Sequence, residues 1–112
     1  DLALDSFGFS GGNTSLDALS VGLPVLTLPG EFMRGRQTMA MLRCLPERVS
    51  SALLATDAAD YVLRARRLLT DSALRAGLRA AITASASALF NDPAPVPALR
   101  AWLHDQQIAH RE

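Results

Sequence analysis

The residues best suited to chemistry form a short polar turn between two apolar segments, within SGGNTSLDALSVGLPVLTLPG at positions 10–30. Gly11 and Gly12 permit backbone conformations that other residues avoid, and they let a ligand approach the main chain closely. A helix is predicted to start directly after them. The unpaired N–H groups and the dipole at its N-terminus favour binding of an anion, and phosphate is the most suitable ligand. The polar residues at this helix start are Asn13, Thr14 and Ser15.

The spacing of the glycines excludes two familiar phosphate sites and leaves two interpretations open. No lysine follows the turn, so it is not the nucleoside-triphosphate P-loop, and the glycines do not match the GxGxxG pattern of nicotinamide sites. Thr14 and Asp17, three residues apart, also resemble a capping box in which aspartate replaces the usual glutamate. From spacing alone, a purely architectural turn is slightly favoured over a binding site.

Two apolar segments flank the turn and predict the elements that hold it. Residues 2–7 form a predicted strand, and residues 14–21 a helix that Gly22 ends. Residues 24–28 are almost continuously apolar, which is typical of a strand buried on both faces of a parallel sheet. The connection is long enough for a right-handed crossover. We therefore expect two parallel strands with the turn at their carboxyl edge, where α/β sheets bind ligands.

The chain after these strands predicts mainly helices. One helix follows Pro29 and Gly30, and residues 52–55 form either a short strand or a single turn. Asp57 is expected to cap the next helix, and Asp71 lies at the start of another. The predicted fold class is therefore α/β, a Rossmann-like parallel sheet with trailing helices.

The pattern divides the chain into two parts. Residues 1–90 form the predicted Rossmann-like domain, and residues 91–112 a proline-containing linker and a last amphipathic helix. We expect Trp102 to pack that helix onto the domain. Cys44 is interpreted as a core residue, whereas Glu31, His104 and His110 are interpreted as surface residues.

Composition excludes several classes of protein. The 112 residues carry a net charge of zero and a sequence pI near 6.9, which argues against nucleic-acid binding. No apolar run is long enough for a membrane span, and the first residues do not resemble a signal peptide. A single cysteine excludes an internal disulfide and a cysteine-rich metal site, and fits a cytoplasmic protein. Because one strand–helix–strand unit makes a small sheet, we expect the C-terminal piece of a longer protein.

The order of the motifs adds a resemblance to this interpretation. The stretches are LDSFGFSGGNTSLDALSVGLPVLTLPGEFMRGR at 4–36, DYVLRARRLLTDSALRAGLR at 60–79 and SALFND at 87–92. Together they resemble the C-terminal catalytic segment of the O-linked N-acetylglucosamine transferase family, particularly bacterial members attached to tetratricopeptide repeats. The resemblance implies the C-terminal half of the nucleotide-sugar-binding domain of a GT-B fold, which would make residues 1–90 part of that domain.

The resemblance also implies a set of donor-binding residues. Gly12, Asn13 and Thr14 would line the diphosphate, with Gly11 and Ser15 beside them. Asp17 would reach the ribose hydroxyls, and Arg36 matches an arginine of the family's helix after Leu-Pro-Gly. Animal members have His-Thr-Thr where this chain has Gly-Asn-Thr at positions 12–14, which removes one imidazole contact to the diphosphate.

The activity implied by the resemblance is metal-independent transfer of a sugar to a protein serine or threonine, with UDP-N-acetylglucosamine as the donor. The catalytic base and the protein acceptor site would lie in preceding segments, so this chain alone is expected to be inactive. The alternatives from other classes are a non-enzymatic binding domain with an architectural glycine turn, and a GT-B nucleotide-sugar epimerase.

Overall fold

The computed structural model describes residues 1–109, which form a small parallel sheet and a set of helices. The strands are β1 (Ala3–Leu4) and β2 (Val25–Leu26). Two short 3-10 segments lie at Met33–Gly35 and Ala86–Leu89. The helices are α1 (Asn13–Ser20), α2 (Gln37–Arg43), α3 (Glu47–Leu53), α4 (Ala58–Thr70), α5 (Ser72–Ser85) and α6 (Pro95–Ala109).

The two strands run parallel, with Ala3 opposite Val25 and Leu4 opposite Leu26. The predicted parallel pairing across α1 is therefore confirmed. Both strands are shorter than predicted, because the ladder ends where the Asp5 N–H donates to the Leu26 carbonyl at 2.9 Å. Beyond that bond, the Asp5 carboxylate accepts backbone and hydroxyl donors and the chain turns away from the sheet.

A third segment continues the sheet beyond β2. Thr27 forms a parallel bridge with Leu54; its N–H donates to the Leu53 carbonyl at 3.0 Å and its carbonyl accepts the Ala55 N–H at 2.9 Å. The sequence left residues 52–55 open between a strand and a turn, and the structure has the end of α3 followed by this single bridge. The helix α3, which begins directly after Pro46, was not predicted from the sequence.

The helix boundaries follow from capping. Gly22 ends α1 with a φ of +74°, and a Cβ at this position would meet the Arg79 carbonyl at 3.3 Å. Asp57 and Asp71 accept the N–H groups of Asp60 and Leu74, both at 2.8 Å, as the predicted caps of α4 and α5.

The apolar core lies between the sheet and the helices α1 to α5. Its members are fully or almost fully buried and come mainly from β2 and the helices α1 to α5, and α5 packs on both α1 and α4. This core anchors the carboxyl edge of the sheet, where the polar turn lies. The largest buried apolar side chains are Leu19, Leu26, Leu42, Val49, Leu53, Leu68 and Ile82.

Two expectations about packing are wrong. Trp102 on α6 is 57% exposed, as Leu99 also is, so the indole does not pack this helix onto the described domain. Cys44 is exposed at the end of α2, because it lies two residues beyond Leu42 and therefore on the opposite side from the core. None of the described helices is both long and apolar enough to cross a membrane.

The remaining sequence expectations have mixed outcomes. Glu31 and His104 are exposed as expected, whereas His110 lies outside the described residues. Asn91, with a φ of +56°, turns the chain before α6. The division of the chain at residues 90 and 91 stays a prediction.

Candidate functional site

Two loops meet at the carboxyl edge of the sheet. We call residues 8–12 the glycine turn and residues 29–36 the second loop. Their backbones touch directly: the Ser10 N–H donates to the Arg34 carbonyl at 2.8 Å, and a Cβ on Gly35 would lie 3.4 Å from the Gly8 carbonyl oxygen. The loop after β1 and the loop after β2 therefore form one rigid surface.

Asp5 lies at the centre of this edge and is the residue that sequence reasoning missed. Its Oδ2 accepts the Ser10 hydroxyl at 2.6 Å and the Thr27 hydroxyl at 2.7 Å. Its Oδ1 accepts the Gly11 N–H at 2.8 Å and the Ser6 N–H at 3.1 Å. The residue is only 8% exposed, so both carboxylate oxygens are satisfied by the protein itself.

The surroundings of Asp5 keep it ionised. Burial alone would raise the pKa of this carboxyl, but hydrogen bonds from Ser10, Thr27 and Gly11 outweigh it and hold the pKa below its usual value. Tyr61 reaches the same residue, since its hydroxyl donates to the Asp5 carbonyl at 2.9 Å. Burial, together with the negative charge of Asp5, raises the pKa of Tyr61.

Thr38, fully buried at the start of α2, is the second centre of the network. Its Oγ1 lies 2.8 Å from the hydroxyls of both Ser10 and Ser15, and it donates to the Gly11 carbonyl at 3.2 Å. Its N–H donates to Ser10 Oγ at 3.0 Å. The glycine turn is thus tied to α2 on one side and to the Asp5 carboxylate on the other.

The N-terminus of α1 has backbone donors without protein acceptors. Within the part of the chain that the structure describes, the N–H groups of Gly12, Asn13 and Thr14 have no protein acceptor. No side chain caps the helix, because it begins at Asn13 and Thr14 is already its second residue. The capping-box interpretation of Thr14 and Asp17 is therefore wrong: both side chains are exposed, and neither accepts an N–H of the helix start.

The two glycines are favoured by close packing, and Gly12 also by its backbone conformation. Gly12 has a φ of −92° and a ψ of −99°, outside the helical and extended regions, so the expectation of special angles is confirmed at this residue, while positive φ among the described glycines occurs at Gly8 and Gly22. A Cβ on Gly11 would lie 2.8 Å from Thr14 Oγ1 and would also clash with the Ser15 hydroxyl. A Cβ on Gly12 would lie 2.9 Å from the Gln37 side-chain oxygen.

The sequence-predicted donor residues lie in different environments. Asn13, Thr14 and Asp17 are exposed on α1, and Thr14 and Asp17 share one face because they are three residues apart. Ser15 is 4% exposed and points inward to Thr38, so its hydroxyl is already used by the protein. Arg36 lies on the second loop, where its guanidinium donates to the Gly30 carbonyl at 3.2 Å.

The cleft beside the turn is small. A cavity of about 180 Å³ lies between β1 and α1 and is lined by Asp5, Gly11 and Thr14, among others. This volume is below that of typical ligand pockets, about 300–1,000 Å³. A larger hollow of about 380 Å³ between α3, α4 and α5 is lined by Arg64 and Arg67 and lies away from the glycine turn. The described chain therefore offers an open surface beside the glycine turn rather than a closed pocket.

Comparison with known proteins places this geometry in a family. The family model of glycosyl transferase family 41 matches residues 1–95. The UDP-N-acetylglucosamine–peptide N-acetylglucosaminyltransferase of Giardia intestinalis is 32% identical over 91 residues, which are 81% of this chain and 6% of that protein. The structure of an O-GlcNAc transferase mutant of Thermobaculum terrenum matches 96% of this chain with a TM-score of 0.69 and 29% identity.

The matches cover most of this chain but only a small part of its relatives. The chain spans only 22% of the Thermobaculum protein chain, so most of that protein has no counterpart here. The family model, in contrast, covers the sheet, the glycine turn, the second loop and the helices α1 to α5. With more than half of its residues matched, the chain belongs to glycosyl transferase family 41.

Proposed function

We propose that this chain is the donor-binding part of a longer glycosyltransferase, which moves N-acetylglucosamine from UDP-N-acetylglucosamine to a protein serine or threonine hydroxyl. The observation that carries the proposal is the row of N–H groups without protein acceptors at positions 12–14 in a member of family 41. Such groups at a helix start bind anions, and the donor of a nucleotide-sugar transfer carries a diphosphate.

The proposed roles follow the geometry of α1 and the second loop. The N–H groups of Gly12, Asn13 and Thr14 and the Thr14 hydroxyl would donate to the diphosphate. Asp17, one helical turn further along the same face, would accept from the ribose hydroxyls. Arg36 would add a positive charge from the second loop, and the buried Ser15 would act only through its bond to Thr38.

We further propose that the donor site is completed by the rest of a GT-B enzyme, of which this chain would be part of the C-terminal Rossmann-like domain. The small cleft supports this, because it cannot enclose a nucleotide sugar. The site for the acceptor protein and the catalytic base would lie in other segments of the enzyme. We place the enzyme in the cytoplasm, as a bacterial transferase attached to tetratricopeptide repeats, without a metal cofactor.

Membership of family 41 favours transfer over the non-enzymatic module and the epimerase. The test is calorimetry of the full-length protein with UDP, GDP and uridine, together with transfer of labelled N-acetylglucosamine to protein. We expect UDP to bind at least about tenfold more tightly than uridine, because the diphosphate contributes charge-assisted hydrogen bonds. The 112-residue chain alone should transfer no label. Equal binding of UDP and uridine, with no transfer by the full-length protein, would contradict the proposal.

A further inference from the structure

We propose that Asp5 is a positioning residue for the donor site: its carboxylate fixes the glycine turn so that the N–H groups of Gly12, Asn13 and Thr14 point together at the diphosphate. The inference rests on the proposed function and adds to it a residue that would not itself contact the donor. It is carried by the hydrogen bonds that join Asp5 to Ser10 and Gly11 of the turn.

The bonds to Asp5 determine which backbone donors remain free. The Gly11 N–H is directed at Asp5 Oδ1, at 2.8 Å, and is thereby removed from the donor site. The next three N–H groups have no protein acceptor in the described chain. Without the carboxylate, the Gly11 N–H would lose its acceptor and the turn would lose its tie to β1. Asp5 thus selects both the number and the direction of the available donors.

The same carboxylate links the turn to the neighbouring strand. Oδ2 accepts Ser10 from the turn and Thr27 from the end of β2. Ser10 in turn contacts Thr38, which holds the Gly11 carbonyl and the Ser15 hydroxyl. In the described chain, no buried side-chain nitrogen or oxygen lacks a hydrogen-bond partner, so this network is complete. A complete network fixes a loop, whereas loss of one member releases its partners.

The negative charge of Asp5 makes the inference testable, because its charge and its positioning bonds have opposite effects on the affinity for UDP. A carboxylate beside an anion site repels the diphosphate, so its neutralisation alone would strengthen UDP binding. Loss of the positioning bonds would weaken UDP binding instead. The sign of the change in affinity therefore tells the two effects apart.

The experiment compares UDP with uridine in the full-length protein. Asp5→Asn keeps the size of the side chain but exchanges one acceptor oxygen for a donor. We expect this variant to bind UDP about tenfold more weakly while binding uridine within about twofold of the wild type, since only the diphosphate contacts the turn. A merely structural role would lower both affinities together. Unchanged or tighter UDP binding would overturn the inference.

A matched pair of variants covers the case in which Asp5→Asn fails to fold. Ser10→Ala and Thr27→Val each remove one hydroxyl that donates to Asp5 Oδ2, but only Ser10 belongs to the turn. Ser10→Ala should lower the UDP-to-uridine affinity ratio about five- to tenfold, and Thr27→Val should leave it within twofold. If both variants change the ratio equally, or neither changes it, the inference is wrong.

The wild type separates this inference from the proposed function. If the wild-type protein binds UDP no more tightly than uridine, the proposed donor site fails and the positioning role fails with it. If the wild type prefers UDP and the Ser10→Ala protein keeps the full preference, only the role of Asp5 is overturned.

Discussion

The glycine turn and the helix α6 differ in how their side chains are accommodated. Around the turn, polar groups such as Asp5, Ser10 and Thr38 are buried and satisfied by one another. On α6, apolar side chains such as Leu99 and Trp102 are exposed to solvent. The family model covers the first region and ends at residue 95, where α6 begins. The difference indicates that the turn is held by this chain itself, whereas α6 adds little to the described core.

The largest effect is expected from a substitution in the buried polar network of the glycine turn. Asp5→Ala leaves the Thr27 hydroxyl and the Gly11 N–H without their acceptor, and the Ser10 hydroxyl keeps only Thr38. Each buried donor left unsatisfied is worth about 1–3 kcal/mol, so we expect the free energy of unfolding to fall by about 3 kcal/mol or more. Urea unfolding of the chain followed by circular dichroism measures this. A loss below about 1 kcal/mol would show that the network is not stabilising.

The next prediction concerns donor binding at the exposed face of α1. Thr14→Ala removes one hydroxyl from the proposed diphosphate site, and a hydrogen bond to a charged group is worth about 1.5–3 kcal/mol. Binding of UDP by the full-length protein should weaken about 10- to 150-fold, as measured by calorimetry. Thr14→Ser, which keeps the hydroxyl, is the matched control. Equal binding by wild type, alanine and serine variants would exclude a role for this hydroxyl.

Asp17 should show a more selective effect. Asp17→Asn removes a charge from the proposed ribose contact, so binding of UDP should weaken about threefold to tenfold, while binding of inorganic pyrophosphate stays unchanged. Because Asp17 accepts no helix-start N–H, the variant should remain as stable as the wild type. Calorimetry with both ligands decides this. Equal weakening for UDP and pyrophosphate would contradict a ribose contact.

The pH dependence of stability tests the charge of Asp5. Its pKa is lowered from the ordinary value of 3.8, so the folded state favours the ionised form. The contribution of Asp5 to stability is therefore present above pH 3.8 and is lost as the pH falls through the lower, folded-state pKa. The stability difference between wild type and Asp5→Asn should shrink with acidification below pH 4, measured by urea unfolding. A difference that stays constant down to pH 2 would contradict the lowered pKa.

The strands and the helix around this site could be predicted from the sequence, whereas most of the side-chain contacts within the site could not. The apolar runs around residues 2–7 and 24–28 predict two strands, and Gly22 predicts the end of α1, because period and glycine chemistry act locally. The free N–H groups at α1 follow from the same local reasoning. Asp5 was missed, although it lies within the predicted strand at residues 2–7, because its partner Thr27 is distant in sequence.

The errors have the same physical origin. Gly12 has the unusual dihedral angles that the sequence predicts, but its close approach to Gln37 was not predicted, because that contact exists only once the turn and the start of α2 have met. A similar error concerns the end of the chain. The apolar spacing of Leu99 and Trp102 correctly predicts an amphipathic helix, yet spacing cannot say whether anything covers its apolar face.

The smallest effect is expected from a substitution on the exposed face of α6. Trp102→Ala should change the free energy of unfolding of this chain by less than about 0.5 kcal/mol, because exposed side chains without partners contribute little. A buried tryptophan would instead contribute about 3–5 kcal/mol. Since Trp102 is the single tryptophan of the chain, its fluorescence reports on the same point without a mutation. The emission of the folded chain should already resemble that of free indole and should shift little on unfolding. A blue-shifted emission together with a loss of several kcal/mol in the alanine variant would show that α6 is packed in solution, and the contrast with the glycine turn would then disappear.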